Sequence, residues 1–183
     1  MLYIMRHGST DWNEEHKLQG RTDIPLNARG RKMAEDAASR FRDVNIDICY
    51  CSPLKRAEET ARIFLEGRNV PIITDERLAE MGFGICEGEK YMIPGTDGPI
   101  KALFEEPDEY KVPVPGGESF KELFDRTGSF LDEIAVPLSD SGKDVLIVGH
   151  GAMNTSIICR MRNIPLKDFW GVGIEQCTLT RLK

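Results

Sequence analysis

Histidine is scarce in this chain: three residues in 183, His7, His16 and His150. That scarcity leaves neither an HxH nor an HExxH spacing, so no metal centre and no other cofactor is expected. Long apolar runs are missing as well. Nothing approaches the ~20 residues of a membrane-spanning helix. The N-terminus enters an apolar strand without the charged, apolar and cleavage regions of a signal peptide. Excess positive charge is also lacking, and a formal net charge of -6 argues against a general binder of nucleic acid or anionic membrane. A small phosphorylated substrate stays open, because a few local arginines decide that. The five cysteines, Cys49, Cys51, Cys86, Cys159 and Cys177, are odd in number and match neither a zinc site nor a redox pair. Cys49 and Cys51 are expected on opposite faces of one strand, and all five read as small buried residues in a reducing cytoplasm.

What is present fits one domain over residues 1–183, with 40% hydrophobic and 30% charged residues. Two of the three histidines share a local setting: His7 ends Leu2-Tyr3-Ile4-Met5-Arg6-His7-Gly8 and His150 ends Val145-Leu146-Ile147-Val148-Gly149-His150-Gly151. Each short apolar run reads as a buried strand stopped at a His-Gly turn. A long polar loop follows over residues 8–27. Asn27 then caps a helix to about Val44, with Met33, Ala34, Ala37, Ala38 and Phe41 on one face. Ile46–Cys51 reads as a strand, Leu54–Leu65 as a helix capped by Ser52 with Pro53 at its first position, and Ile72-Ile73 as a short strand. Residues 82–117 are glycine- and proline-rich and read as an irregular insertion over the sheet, with a short helix at about Pro99–Glu105. A long amphipathic helix is expected over Glu118–Leu138, another over Ala152–Arg162, and a last strand over Cys177–Leu182. Alternating strands and helices argue for a three-layer α/β/α sandwich on a largely parallel sheet.

Open sheets of this kind carry their chemistry at the carboxyl ends of strands. Arg6 sits beside His7, and Cys51-Ser52-Pro53-Leu54-Lys55-Arg56 delivers Arg56 on the first turn of a helix. Guanidinium groups grip phosphate bidentately, helix N-termini add N–H donors, and a neutral imidazole is a competent nucleophile toward phosphorus. His16 reads as a solvated loop residue, and Trp12 and Trp170 as packing residues.

Arg6-His7-Gly8-Ser9-Thr10 with Trp12-Asn13, Gln19–Asn27, Ser52–Ala61, Leu78-Ala79-Glu80-Met81-Gly82-Phe83-Gly84, Pro115–Ser119 and Gly149-His150-Gly151 together resemble the histidine phosphatase superfamily, which includes the cofactor-dependent phosphoglycerate mutases. The resemblance implies the phosphoglycerate mutase-like fold. It implies His7 as the nucleophile that becomes a phosphohistidine, with Arg6, Arg56 and His150 around the phosphoryl group and Asn13 adding a hydrogen bond. Glu80 is implied as proton donor to the leaving oxygen, with Glu87 and Glu89 as rival carboxylates in the same stretch. A protonated His150 is expected to hold the anion. Gln19, Gly20 and Gly151 are implied among the substrate-binding residues.

The mutases of this family carry further arginines after the acid, whereas no arginine lies here between Arg77 and Arg126. The expectation is therefore a phosphomonoesterase of histidine acid phosphatase type acting on a small phosphorylated metabolite. The alternatives are a cofactor-dependent phosphoglycerate mutase, a metal-dependent hydrolase, and a non-catalytic module that binds a phospho-ligand. A sheet-edge homodimer is compatible with the sequence, though no motif demands it.

Overall fold

The computed structural model describes residues 1–90 and 100–183. Five strands, β1 (Leu2–Arg6), β2 (Ile48–Cys51), β3 (Ile72–Thr74), β4 (Val145–Gly149) and β5 (Thr180–Arg181), form one sheet in the order β3-β2-β4-β1-β5. All neighbours are parallel except β5, which runs antiparallel to β1. The register Arg6↔Gly149 brings the ends of β1 and β4 level, so the His7 and His150 that follow them emerge side by side.

Alternation along the strands builds two cores. Leu2, Ile4, Val145 and Ile147 face one side, where α5 (Phe120–Phe130) and α7 (Gly151–Arg162) pack. Met5, Leu146 and Val148 face the other, covered by α2 (Ala28–Arg40) and α3 (Lys55–Phe64). This is the expected three-layer α/β/α sandwich. Each aliphatic side chain taken fully into such a core stabilises it by roughly 1.5–3 kcal/mol. α7 is buried at every position from Ala152 to Cys159, so its apolar residues show no single stripe.

Several boundaries depart from the sequence reading. Asn27 caps α2 as expected, its side chain accepting the Gly30 N–H. The loop over 8–27 holds a one-turn helix, α1 (Asp11–Glu14), fixed by a capping box between Thr10 and Asn13. Ser52 and Pro53 stand ahead of α3: Ser52 Oγ accepts the Leu54 N–H, and Leu54 occupies the cap position. Cys49 and Cys51 are two residues apart on β2 and therefore share a face, both in the core beneath α3, not opposite faces. The short helix expected within residues 82–117 is α4 (Lys101–Glu105), and its expected start at Pro99 lies outside the described residues. The long helix begins at the expected place, with Ser119 and Glu122 forming a capping box, but it opens into a π turn over Leu131–Ala135 before α6 (Val136–Asp140). The widened turn lies just ahead of Pro137, which has no N–H to give the Glu133 carbonyl. β5 is shorter than expected because Cys177 takes a φ of 52°, which no extended strand permits.

Candidate active site

The β1 and β4 ends carry the two imidazoles within 5.1 Å of each other, ring centroid to centroid, in an edge-to-face arrangement. Gly8 turns the chain immediately after His7 and packs against α2: a Cβ there would stand 2.4 Å from the Gly30 carbonyl oxygen. His7 is buried, and its Nδ1–H donates to the Gly8 carbonyl at 2.6 Å. In the neutral ring that bond leaves Nε2 as the lone-pair nitrogen. Burial, then the charges of Arg56 and Arg6, hold the His7 pKa well below the usual imidazole range, against a smaller upward pull from Gly8.

Arg56 is fully buried on the first turn of α3. It donates to the carbonyls of Gly20 (2.7 Å) and Thr22 (2.9 Å). Burial lowers its pKa to about 10, with Glu80 the largest opposing influence. Gly20 adopts a φ of 51°, a backbone state favoured by glycine, to turn its carbonyl onto that guanidinium. Arg6 donates to the Ile174 carbonyl at 3.2 Å. The Arg6 Nε, the Arg56 Nε and the His150 Nδ1 are buried without a partner. Buried donors are normally satisfied, so such a set fits an anion.

His150 is completely buried, with Nε2 at 2.7 Å from Ser52 Oγ. Burial first, then Arg56, His7 and Arg6, push its pKa well below the usual imidazole value, which works against the protonated His150 expected from the resemblance.

Glu80 lies at the N-terminus of α7. Its Oε1 accepts the N–H groups of Met81 (2.8 Å) and Met153 (2.9 Å), and its Oε2 accepts only that of Ala152, at 3.2 Å. The positive end of the helix favours a carboxylate there. Glu87 is consumed elsewhere, accepting from the backbone of Arg21, Thr22 and Phe83 and from the Thr22 hydroxyl. Of Glu80 and its two rivals, Glu87 and Glu89, only Glu80 lines the cavity of the site.

A cavity of about 360 Å³ joins these groups, lined at its inner end by Arg6, His7, Arg56, Glu80 and Gly151. Asn13, Gln19 and Gly20 line its flank, so each residue picked out from sequence borders this cavity except His150, which lies in edge contact with His7. Asn13 Oδ1 is occupied by Thr10 and by Gln176 Nε2 (3.0 Å), which leaves its amide N–H groups as donors. Gln19 Oε1 is buried without a partner. Trp170, read from sequence as a packing residue, also lines the cavity.

A supporting layer escaped the sequence reading. Arg126 pairs with buried Glu118 at 2.6 Å and donates to the carbonyls of Arg77, Ala79 and Glu80, while Glu118 also accepts the Gly82 N–H. Together they fix the turn that carries Glu80. Glu118 stands inside the Pro-Gly-Gly-Glu-Ser block, the one local signal that could have found it.

The family model of the histidine phosphatase superfamily (branch 1) matches residues 2–183. Among curated proteins, "Phosphoserine phosphatase 1" of Hydrogenobacter thermophilus is 29% identical, over 97% of this chain and 83% of its own. "Probable phosphoglycerate mutase GpmB" of an Enterobacter species is 31% identical, over 99% and 83%. Among solved structures, Bacillus stearothermophilus YhfR superposes with a TM-score of 0.85 at 32% identity, covering 97% of this chain and 88% of that one. With a matching family model from end to end and the sheet order in place, the chain belongs to the histidine phosphatase superfamily, branch 1.

Proposed function

We propose that the protein is a phosphomonoesterase of the acid phosphatase type, working through a phosphohistidine on His7. The observation that carries this reading is the His7 Nδ1–Gly8 bond, which aims reactivity at Nε2 amid three unpartnered buried donors. In the first step Nε2 bonds to phosphorus and the ester oxygen leaves with the bonding pair, taking a proton from Glu80. Oε2 is the oxygen to hold that proton, because it accepts a single N–H. Water then attacks the phosphohistidine, gives its proton to Glu80, and releases inorganic phosphate and neutral His7. Arg6 and Arg56 hold the equatorial oxygens throughout, and preorganised charge of this kind is usually the largest catalytic contribution. Asn13 and His150 Nδ1 supply further donors. Because His7 stays neutral well below the usual imidazole range, the nucleophile is available in acid.

The mutase alternative is disfavoured by charge. Of the described lysines and arginines only Arg6, Arg56 and Lys17 line the cavity, which is thin for a bisphosphorylated intermediate. We place the protein in a reducing cytoplasm, where its five free, buried thiols are at home. A homodimer would use the open edge at β3. Purified protein is tested by release of phosphate from an aryl phosphate, with His7→Ala as control. The expected result is loss of at least about 10³-fold in kcat and of acid-labile label on the protein. Turnover surviving in His7→Ala, or dominant interconversion of 2- and 3-phosphoglycerate, overturns the reading.

A further inference from the structure

Beyond the phosphoryl end, the cavity acquires a different character. Phe83, Phe104 and Trp170 form its outer wall, with Leu18 and Ile174 beside them. Trp170 and Phe104 stand 4.8 Å apart, centroid to centroid, tilted by 37°, and Phe83 lies 6.5 Å from Phe104 at 38°. The indole N–H of Trp170 donates to the Leu103 carbonyl at 2.6 Å, so its polar edge is already spent. Behind it, fully buried Phe169 lies 4.8 Å from Trp170 and 4.9 Å from Phe120, a packed cluster that holds the indole in place.

Cations are scarce at this end. Of the described lysines only Lys17 lines this end, and its ammonium is 2.6 Å from Glu15 and lies over the Trp12 ring, while Lys90, across an isolated backbone bridge from Lys17, and Lys101, beside Glu105 on α4, stand off the lining. Arg21 is tied to Glu118 and to the Glu80 carbonyl. A carboxylate seated here would lose its hydration and meet no unpaired cation among the described lining residues. An aromatic or alicyclic body would instead gain face contact and shed water from apolar surface.

We infer that the substrate class is phosphomonoesters of primary alcohols or phenols whose body is flat, largely apolar and uncharged, and that the Phe83–Phe104–Trp170 wall selects against bodies bearing a carboxylate. The inference rests on the phosphomonoesterase reading above. Its test compares three esters of primary alcohols, so that leaving-group reactivity is matched: 2-phenylethyl phosphate, 3-phosphoglycerate and O-phosphoserine. In one preparation, kcat/KM for the phenylethyl ester is expected to exceed that for either acid by about 10²-fold. Phe104→Ala is expected to cut that ratio about tenfold, and Phe104→Lys to cut it further by offering the missing cation. Because a ratio within one sample is read, partial unfolding of a variant cancels. A ratio of one or less, or a ratio that neither variant moves, overturns the inference. Activity surviving His7→Ala would sink the phosphohistidine reading instead, so the two failures are told apart.

Discussion

The two ends of the cavity are built by different means. At the inner end His7 follows a strand end, Arg56 opens a helix and Glu80 follows a short 3-10 turn, and each is tied to backbone: His7 to Gly8, Arg56 to Gly20 and Thr22, Glu80 to three N–H groups. At the outer end the wall comes from short turns and one five-residue helix, and its members hold one another by ring contacts. Transition-state charge must be met by donors already in place, whereas apolar selection tolerates small adjustments. On the proposed function, chemistry resides in the inner end and substrate choice in the outer one.

If that division holds, the largest effect after loss of the nucleophile comes from the inner acid. Glu80→Gln keeps the shape and removes the proton carrier, and is expected to lower kcat by about 10²–10⁴-fold for substrates with poor leaving groups. Less loss is expected for a nitrophenyl ester, whose leaving oxygen needs little protonation. An equal loss on both esters would show Glu80 positioning the site without moving a proton.

A middle-sized effect belongs to the layer beneath. Arg126→Met takes from buried Glu118 its nearest cation, leaving it the more distant Arg21 and the Gly82 N–H, and frees the carbonyls around Glu80. Breaking one side of such a pair costs about 3–5 kcal/mol of stability. Among the molecules that stay folded, kcat is expected to fall about tenfold with KM little changed, since the residue touches no substrate. A change in KM alone would place Arg126 in recognition and blur the boundary between the two ends.

How legible each end is from sequence follows from the same contrast. His7, Arg56 and His150 stand where an apolar run stops or a helix starts, and local sequence reports both. Which carboxylate serves as the acid was less readable, since Glu80, Glu87 and Glu89 share one irregular stretch. Only the hydrogen bonds of Glu87 to the 21–22 backbone remove it from contention. The outer wall was illegible: Phe83, Phe104 and Trp170 are up to 87 residues apart in sequence and meet through tertiary packing that no spacing announces. Trp170 looked like core because part of it is core. The downward push on the His150 pKa escaped for a related reason, as its burial beside four other basic groups, Arg56, His7, Arg6 and Arg126, is a property of the assembled site.

The smallest effect leaves activity aside and is read in stability. Burial and the neighbouring arginines push the pKa values of His7 and His150 well below the ordinary value in the folded protein, while in the unfolded chain they titrate near about 6.5. Below that pH the unfolded chain binds protons that the folded protein refuses. Their contribution is therefore fully present above about pH 6.5 and is lost as the pH falls. Two such groups give a slope of at most about 2.7 kcal/mol per pH unit between roughly pH 6.5 and 5, above the range where carboxylates titrate. Urea unfolding in phosphate-free buffer measures it, and His7→Ala, which retains His150 alone, is expected to halve the slope. A slope that His7→Ala leaves unchanged would mean that the inner end accommodates a charged imidazole without its ligand. The buried, preorganised character that sets it apart from the outer end would then be lost.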